Sequence, residues 1–194
     1  MGVSRQQAAE NRSAIVAAAE RLFRVRGVDA VGLTELMKEA GFTQGGFYNH
    51  FKSKDALVAE VMDKAMQDRA DSPNAESLDA QVALYLSAAH RDNVEAGCPL
   101  SGFAGDAPRL TDAARACYAH GLATYLDRLE RMVATAGATP AQTRRDAIAA
   151  FSQMVGALVL SRAIAGTDPA LADEILAAGR DTLVDGRDDP GVIA

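Results

Sequence analysis

Residues 33–54 read LTELMKEAGFTQGGFYNHFKSK. Two short amphipathic helices fit this stretch, the first from Thr34 to Ala40 and the second beginning near Gln44. Between them stands Gly41-Phe42-Thr43, where a small residue lets two helices cross closely. This layout predicts a helix-turn-helix, although the spacing alone fits two packed helices of a bundle equally well.

Flanking sequence supplies the other helices of a small bundle. An apolar stripe at helical spacing runs from Ile15 to Phe23, and Gly27 ends that helix. On the other side, Ser53 can cap a helix whose stripe runs from Leu57 to Ala65. Pro73 then breaks the pattern, so we expect a first domain to end near it.

The rest of the chain predicts long helices. Thr139-Pro140-Ala141-Gln142 combines an N-cap, a proline at the first helical position and a glutamine three residues after the cap. Asp168-Pro169 begins the last helix, with its proline at the first helical position. An apolar, Gly/Pro-rich break from Gly97 to Pro108 separates two earlier helices and is predicted to be partly buried. The expected fold is all-α.

Composition supports this class of fold and limits the kind of protein. Apolar residues make up 48% of the 194 and aromatic residues only 5%, and alanine, a helix former, supplies the excess. The net charge is -6, but residues 1–64 carry nine basic against eight acidic side chains, so charge neither proves nor excludes DNA binding. Two cysteines without a CxxC pattern predict neither a disulfide framework nor a metal site. Without an apolar signal core or a long apolar run, a cytoplasmic protein with no membrane partner is expected.

The helix that begins near Gln44 is the third of the chain, after those at Ile15–Phe23 and Thr34–Ala40, and it has an outward face of unusual composition. Tyr48, Asn49 and His50 are consecutive, so they cannot all face the core that Phe47 and Phe51 occupy. In a helix-turn-helix, such side chains offer hydrogen bonds to phosphates and to base edges. On an ordinary solvated helix the same set is unremarkable.

The pattern Gly-Phe-Thr-x-Gly-Gly-Phe-Tyr-x-His-Phe-x-Ser-Lys at residues 41–54 resembles the signature of the TetR/AcrR transcriptional regulators. Outside the N-terminal part, the chain matches them only in helical character and length. The resemblance implies a homodimer of about nine helices per subunit, with the third helix in the major groove and the last two in a four-helix bundle with the partner. It divides the chain into a DNA-binding domain at 9–69 with its helix-turn-helix at 32–51 and an effector and dimerisation domain at 73–185. The tail at 186–194, rich in Asp, Gly and Pro, is expected to be frayed.

Nine DNA-contacting residues follow from the same resemblance. Those at positions that usually touch the phosphate backbone are Thr34, Thr43, Tyr48, His50 and Lys54. Those nearest the bases are Gln44, Gly45 and Asn49. Gly46 adds a second position where backbone amides can approach the DNA, although two adjacent glycines also fit a flexible loop.

Five residues are candidates for sensing a ligand, namely Cys98, Phe103, Cys117, His120 and Tyr125. Gly97-Cys98-Pro99 resembles a variant at the start of a short helix that links ligand to DNA affinity in part of the family. Cys98 is either a small buried hydrophobe or a redox sensor. Cys117 and His120 lie three apart on one helical face and could form a thiolate–imidazolium pair. Tyr125 fits a core residue as well as a ligand contact.

The function expected from these observations is a ligand- or redox-responsive DNA-binding regulator. It would bind a palindromic double-stranded operator as a homodimer, act as a repressor, and be released by a small-molecule effector. One alternative is a helical interaction module that no longer binds an operator. Another is a small cytoplasmic enzyme that uses Cys117 and His120, but no nucleophile elbow, phosphate loop or dinucleotide fingerprint supports it. We expect no catalytic residue, cofactor or metal.

Overall fold

A computed structural model describes residues 4–72 and 75–185, and every regular element in these ranges is a helix. The N-terminal elements are α1 (Arg5–Arg26), α2 (Leu33–Glu39), a 310 helix (Gln44–Asn49) and α3 (Lys54–Asp71). They are followed by α4 (Leu78–Tyr85), α5 (Ala88–Asp92), α6 (Pro99–Gly102), a second 310 helix (Ala107–Arg109), α7 (Asp112–Val133), α8 (Pro140–Ile164) and α9 (Pro169–Asp185). The prediction of an all-α fold is confirmed. Pro73 and the tail at 186–194 lie outside the described residues.

Local sequence explains where α1 begins and ends. The Ser4 hydroxyl accepts a hydrogen bond from the backbone N–H of Gln7 at 3.1 Å, which satisfies one of the free donors of the first turn. Ile15 and Phe23 are fully buried, as the apolar stripe predicts. Gly27 ends the helix with a φ of 81°, a backbone conformation that glycine adopts without steric cost.

The third helix begins at Gln44, as predicted, but it is a 310 helix rather than an α-helix. Gly45 and Gly46 occupy its first turn, and each costs an α-helix about 1 kcal/mol relative to alanine. The element is only six residues long, and the 310 form is common in such short pieces. Phe47 is fully buried and stacks on Phe51, with ring centroids 5.6 Å apart.

Packing divides the chain into two units. The first contains residues 4–71 together with 98–121, and the second contains the described parts of 72–97 and 122–185. Residues 98–121 were expected in the effector domain, whereas they pack with the N-terminal helices. The functional boundaries at 9–69 and 73–185 stay predictions.

Within the first unit, segment 98–121 makes close contacts with α1 and α3. Leu100 and Phe103 are buried, which confirms that the Gly/Pro-rich break is partly buried. The guanidinium of Arg24, on α1, lies 5.8 Å from the centre of the Phe103 ring. Gly121 provides room for α3, because a Cβ there would lie 2.6 Å from Cγ of Met66.

The second unit contains the closely packed pair α8 and α9. Thr139 caps α8 through a 3.2 Å hydrogen bond from the backbone N–H of Gln142, as predicted. Ser161 is fully buried and donates to the carbonyl oxygen of Ala172 at 2.8 Å, which ties the two helices together. By length and composition alone α8 could cross a membrane, but a single such helix is weak evidence.

Candidate nucleic-acid interface

The helix-turn-helix consists of α2, the turn at Gly41 and the first 310 helix. Gly41 has a φ of 83°, so it reverses the chain where a residue with a side chain would be strained. The backbone N–H of Phe42 donates to the Met37 carbonyl at 2.7 Å and closes the end of α2. Leu36, Met37 and Phe47 are fully buried and anchor both helices in the first unit.

The nine predicted DNA-contacting residues are all at least partly accessible. The exposed ones are Thr34, Thr43, Gln44, Gly45, Tyr48 and Asn49, and the half-buried ones are Gly46, His50 and Lys54. Tyr48 is 68% exposed, a large fraction for an aromatic side chain. The outward orientation expected for Tyr48 and Asn49 is confirmed, whereas His50 is half-buried beside Phe42, with ring centroids 6.4 Å apart.

The two glycines of the 310 helix have different surroundings. A Cβ placed on Gly45 would meet no atom within 4 Å. A Cβ on Gly46 would lie 3.7 Å from Cε of the buried Met37. Gly45 therefore leaves bare backbone at the surface, where a phosphate or base could approach closely.

Lys54 has partners within the protein that the sequence did not indicate. Its Nζ donates to the carbonyl oxygens of Val28 at 2.6 Å and Val31 at 2.7 Å, in the turn between α1 and α2. The same ammonium lies 5.8 Å from the centre of the Phe23 ring. Lys54 thus fastens the start of α3 to that turn. The phosphate contact expected from the resemblance is an alternative role for the same ammonium, and the salt dependence of DNA binding distinguishes the two.

Arg12 supports the end of the 310 helix and was missed in the sequence. Its guanidinium donates to the carbonyl oxygen of His50 and pairs with the carboxylate of Glu60, with 2.9 Å between Nε and Oε1. It also lies over the Phe51 ring, 4.1 Å from its centre. No local pattern could have revealed this role, because the partners stand 38 and 48 positions away.

The five predicted sensing residues are divided between the two units. Cys98, Phe103, Cys117 and His120 belong to the first unit, and Tyr125 belongs to the second. Cys98 is 8% exposed and precedes α6. Tyr125 is buried, and its ring centroid lies 4.7 Å from that of Phe151. Four of the five candidates thus belong to the unit that contains the helix-turn-helix, and Tyr125 belongs to the other.

Electrostatics reduce the support for a catalytic cysteine. Burial raises the pKa of the Cys117 thiol, and the negative charge of Asp63 raises it further. A raised pKa keeps the thiol protonated at neutral pH, and the thiol is a weak nucleophile. His120 is exposed, and within the described residues no hydrogen bond joins it to Cys117. The same part of the chain contains no group of three or more His, Cys, Asp or Glu residues that could hold a metal ion.

Residues 15–61 match the family model described as bacterial regulatory proteins, tetR family. The N-terminal part of the chain is therefore similar to the DNA-binding domain of the TetR family. The match includes α2, the 310 helix and the start of α3, the elements that carry all nine candidate residues.

Similarity to individual TetR-family proteins is highest in the same domain. The HTH-type transcriptional regulator AcrR of Shigella flexneri is 43% identical over 58 residues, which are 30% of this chain and 27% of that protein. An uncharacterized HTH-type transcriptional regulator of Mycobacterium tuberculosis is 28% identical over 163 residues, covering 78% of this chain and 84% of that protein. The matches to the first curated relatives thus span only about a quarter of their length, 27%.

A solved structure extends the likeness to the fold of most of the chain. The crystal structure of a TetR transcriptional regulator from Chloroflexus aurantiacus has a TM-score of 0.76. The likeness covers 95% of this chain and 97% of that one, at 19% sequence identity. It shows a shared fold, including an N-terminal helix-turn-helix domain and a C-terminal helical domain.

Proposed function

We propose that this chain is a cytoplasmic transcriptional repressor that binds a palindromic DNA operator as a homodimer and is released by a small-molecule effector. The observation that carries the proposal is the surface of the 310 helix. Gln44, Tyr48 and Asn49 are exposed there beside the bare backbone of Gly45. Amide and phenol groups of this kind supply the hydrogen bonds that read base edges and hold phosphates in a major groove.

Homodimerisation is supported by apolar side chains left exposed on α8 and α9. The exposed members are Ile148, Val159, Leu160, Leu171 and Val184. A second copy of the same surface would cover them in a two-fold interface, as most homodimers do. A two-fold dimer presents two 310 helices to the DNA, so the operator should be palindromic.

Release by an effector is supported by the packing of α6 and the residues that follow it. Phe103, directly after α6, lies against Arg24 of α1, so a displacement of α6 would disturb the helix that supports the DNA-binding elements. A noncovalent ligand fits this better than a redox signal. The Cys98 thiol is buried, whereas redox-sensing cysteines are solvent-accessible.

Selection of DNA from a random duplex library with the full-length protein tests the proposal. We expect a palindrome whose half-site centres are about 10 base pairs apart, bound with an affinity that falls steeply with salt. The matched control is the double variant Tyr48→Ala, Asn49→Ala, which should stay folded and enrich no sequence. A folded wild-type dimer that also enriches no sequence would instead indicate an interaction module.

A further inference from the structure

Thr34 and Gln44 form a contact across the helix-turn-helix. Thr34 stands in the first turn of α2, and its Oγ1 lies 2.7 Å from Oε1 of Gln44, the first residue of the 310 helix. This distance is typical of an O–H···O hydrogen bond. The carboxamide oxygen carries no proton, so the Thr34 hydroxyl is the donor.

The hydrogen bond fixes the orientation of an exposed and otherwise flexible side chain. A glutamine at a protein surface samples many rotamers, and ordering it on DNA has an entropic cost. With Oε1 held toward α2, the Nε2 amide group of Gln44 is directed away from Thr34. One lone pair of Oε1 and both N–H bonds stay available, and this is the set that matches N6 and N7 of adenine in the major groove.

We propose that Thr34 is a specificity-determining residue that acts by positioning the Gln44 carboxamide for base reading. This inference rests on the proposed function. It differs from the role that the family resemblance implies for Thr34, which is a contact with phosphate. A threonine hydroxyl has one proton, so while it donates to Gln44 it cannot donate to a phosphate oxygen.

The two roles predict different DNA-binding behaviour. A phosphate contact contributes equally to every sequence and to the salt dependence. A positioning contact contributes only where Gln44 meets its base, and it does not alter the number of neutralised phosphates. The substitution Thr34→Val keeps the shape of the side chain and removes the hydroxyl, whereas Thr34→Ser keeps the hydroxyl.

The experiment compares full-length wild type, Thr34→Val, Thr34→Ser and Gln44→Ala by selection from a random duplex library, followed by titration of the selected and a scrambled duplex at several salt concentrations. We expect Thr34→Val and Gln44→Ala to lose base preference at the same single position of each half-site, with a loss of about tenfold for the selected duplex. Affinity for the scrambled duplex and the salt slope should stay at the wild-type values. Thr34→Ser, which keeps the hydroxyl, should retain the wild-type base preference at that position.

A control and two contrary outcomes complete the test. Thr111→Val removes a hydroxyl from an exposed threonine of the same unit that lies outside the helix-turn-helix, so it should leave the preference at that position intact. If Thr34→Val weakens both duplexes equally and flattens the salt slope, or if it changes nothing, the positioning role is overturned. If the wild type selects no sequence, the proposed function itself has failed, and that result is distinct from either of these.

Discussion

At Gly45 the backbone of the 310 helix is bare toward solvent, while at Gly46 it faces the Met37 side chain. Neither glycine has a positive φ, so an L residue fits the backbone at both positions. Substitutions at the two positions can therefore test separately two possible reasons for a glycine in this motif. One reason is folding of the chain, and the other is access for a ligand.

The substitution Gly45→Ala should leave the free protein intact and impair the complex. Alanine loses less backbone entropy on folding, so the free energy of unfolding should stay the same or rise by about 0.5–1 kcal/mol. On DNA the added methyl group would stand between the backbone and the double helix, and we expect affinity to fall by about tenfold or more. Thermal melting and titration of the selected operator measure the two effects.

Gly46→Ala is the matched control for this prediction. Its methyl group would contact the buried Met37 at an ordinary van der Waals distance, so it points to the protein rather than to the DNA. We expect operator affinity close to wild type. Equal affinity for wild type and Gly45→Ala would show that DNA does not approach the backbone there.

Among the elements, the turn between α1 and α2 is held by the first residue of α3. The Lys54 ammonium donates to two carbonyl oxygens of that turn, and hydrogen bonds to charged groups stabilise by about 1.5–3 kcal/mol each. Lys52 is exposed, and within the described residues it has no ion-pair partner. The two lysines, only two positions apart, thus have different surroundings.

Lys54→Met should lower stability, and Lys52→Ala should lower DNA affinity. We expect Lys54→Met to reduce the free energy of unfolding by about 1–3 kcal/mol, because two carbonyl oxygens lose their donor. The slope of log affinity against log salt should stay at the wild-type value. Lys52→Ala should keep the melting temperature and reduce that slope by about 0.9 for each phosphate that the lysine neutralises in the wild-type complex. A slope that falls equally with both substitutions would assign Lys54 to the phosphate backbone.

Most elements could be predicted from the sequence, because their signals are local. The stripe from Ile15 to Phe23 predicted α1, and the cap at Thr139 predicted the start of α8. The 310 form of the third helix was not predicted, since periodicity over six residues does not separate it from an α-helix. Neither was the packing of 98–121 with the N-terminal helices, because a helical pattern does not say which partner it packs against.

The candidate site was predictable in its residue types but not in its internal contacts. The motif at 41–54 named exposed side chains such as Tyr48 and Asn49. It gave no indication that Thr34 bonds to Gln44 or that Lys54 bonds to the α1–α2 turn. These contacts join residues 10 and 26 positions apart, and they arise only from the geometry of the folded chain.

For the whole molecule, the exposed apolar residues of α8 and α9 predict the oligomeric state. Leu160→Glu should convert a dimer into a monomer, because a carboxylate buried between two copies would be desolvated without a partner. Leu84→Glu is the matched control, since Leu84 is 65% exposed on α4 and Leu160 is 60% exposed on α8. Sedimentation velocity at micromolar concentration distinguishes the two states.

Operator binding should follow the oligomeric state of these variants. The Leu160→Glu monomer presents one 310 helix and should bind a single half-site only weakly, whereas the Leu84→Glu dimer should bind the palindrome as the wild type does. A wild type that sediments as a monomer would rule out the α8–α9 surface as the dimer interface. Dissociation of Leu84→Glu instead would assign the interface to α4.

The first unit is discontinuous along the chain, which leaves it after Asp71 and returns at Cys98. A chimeric regulator joins the DNA-binding domain of one protein to the effector domain of another. A junction near residue 71 of this protein would separate α1 and α3 from Phe103 and from the glycine at 121 that accommodates Met66. Recombination at that point would therefore transfer an incomplete hydrophobic core. A working chimera must include residues 98–121 together with the DNA-binding domain.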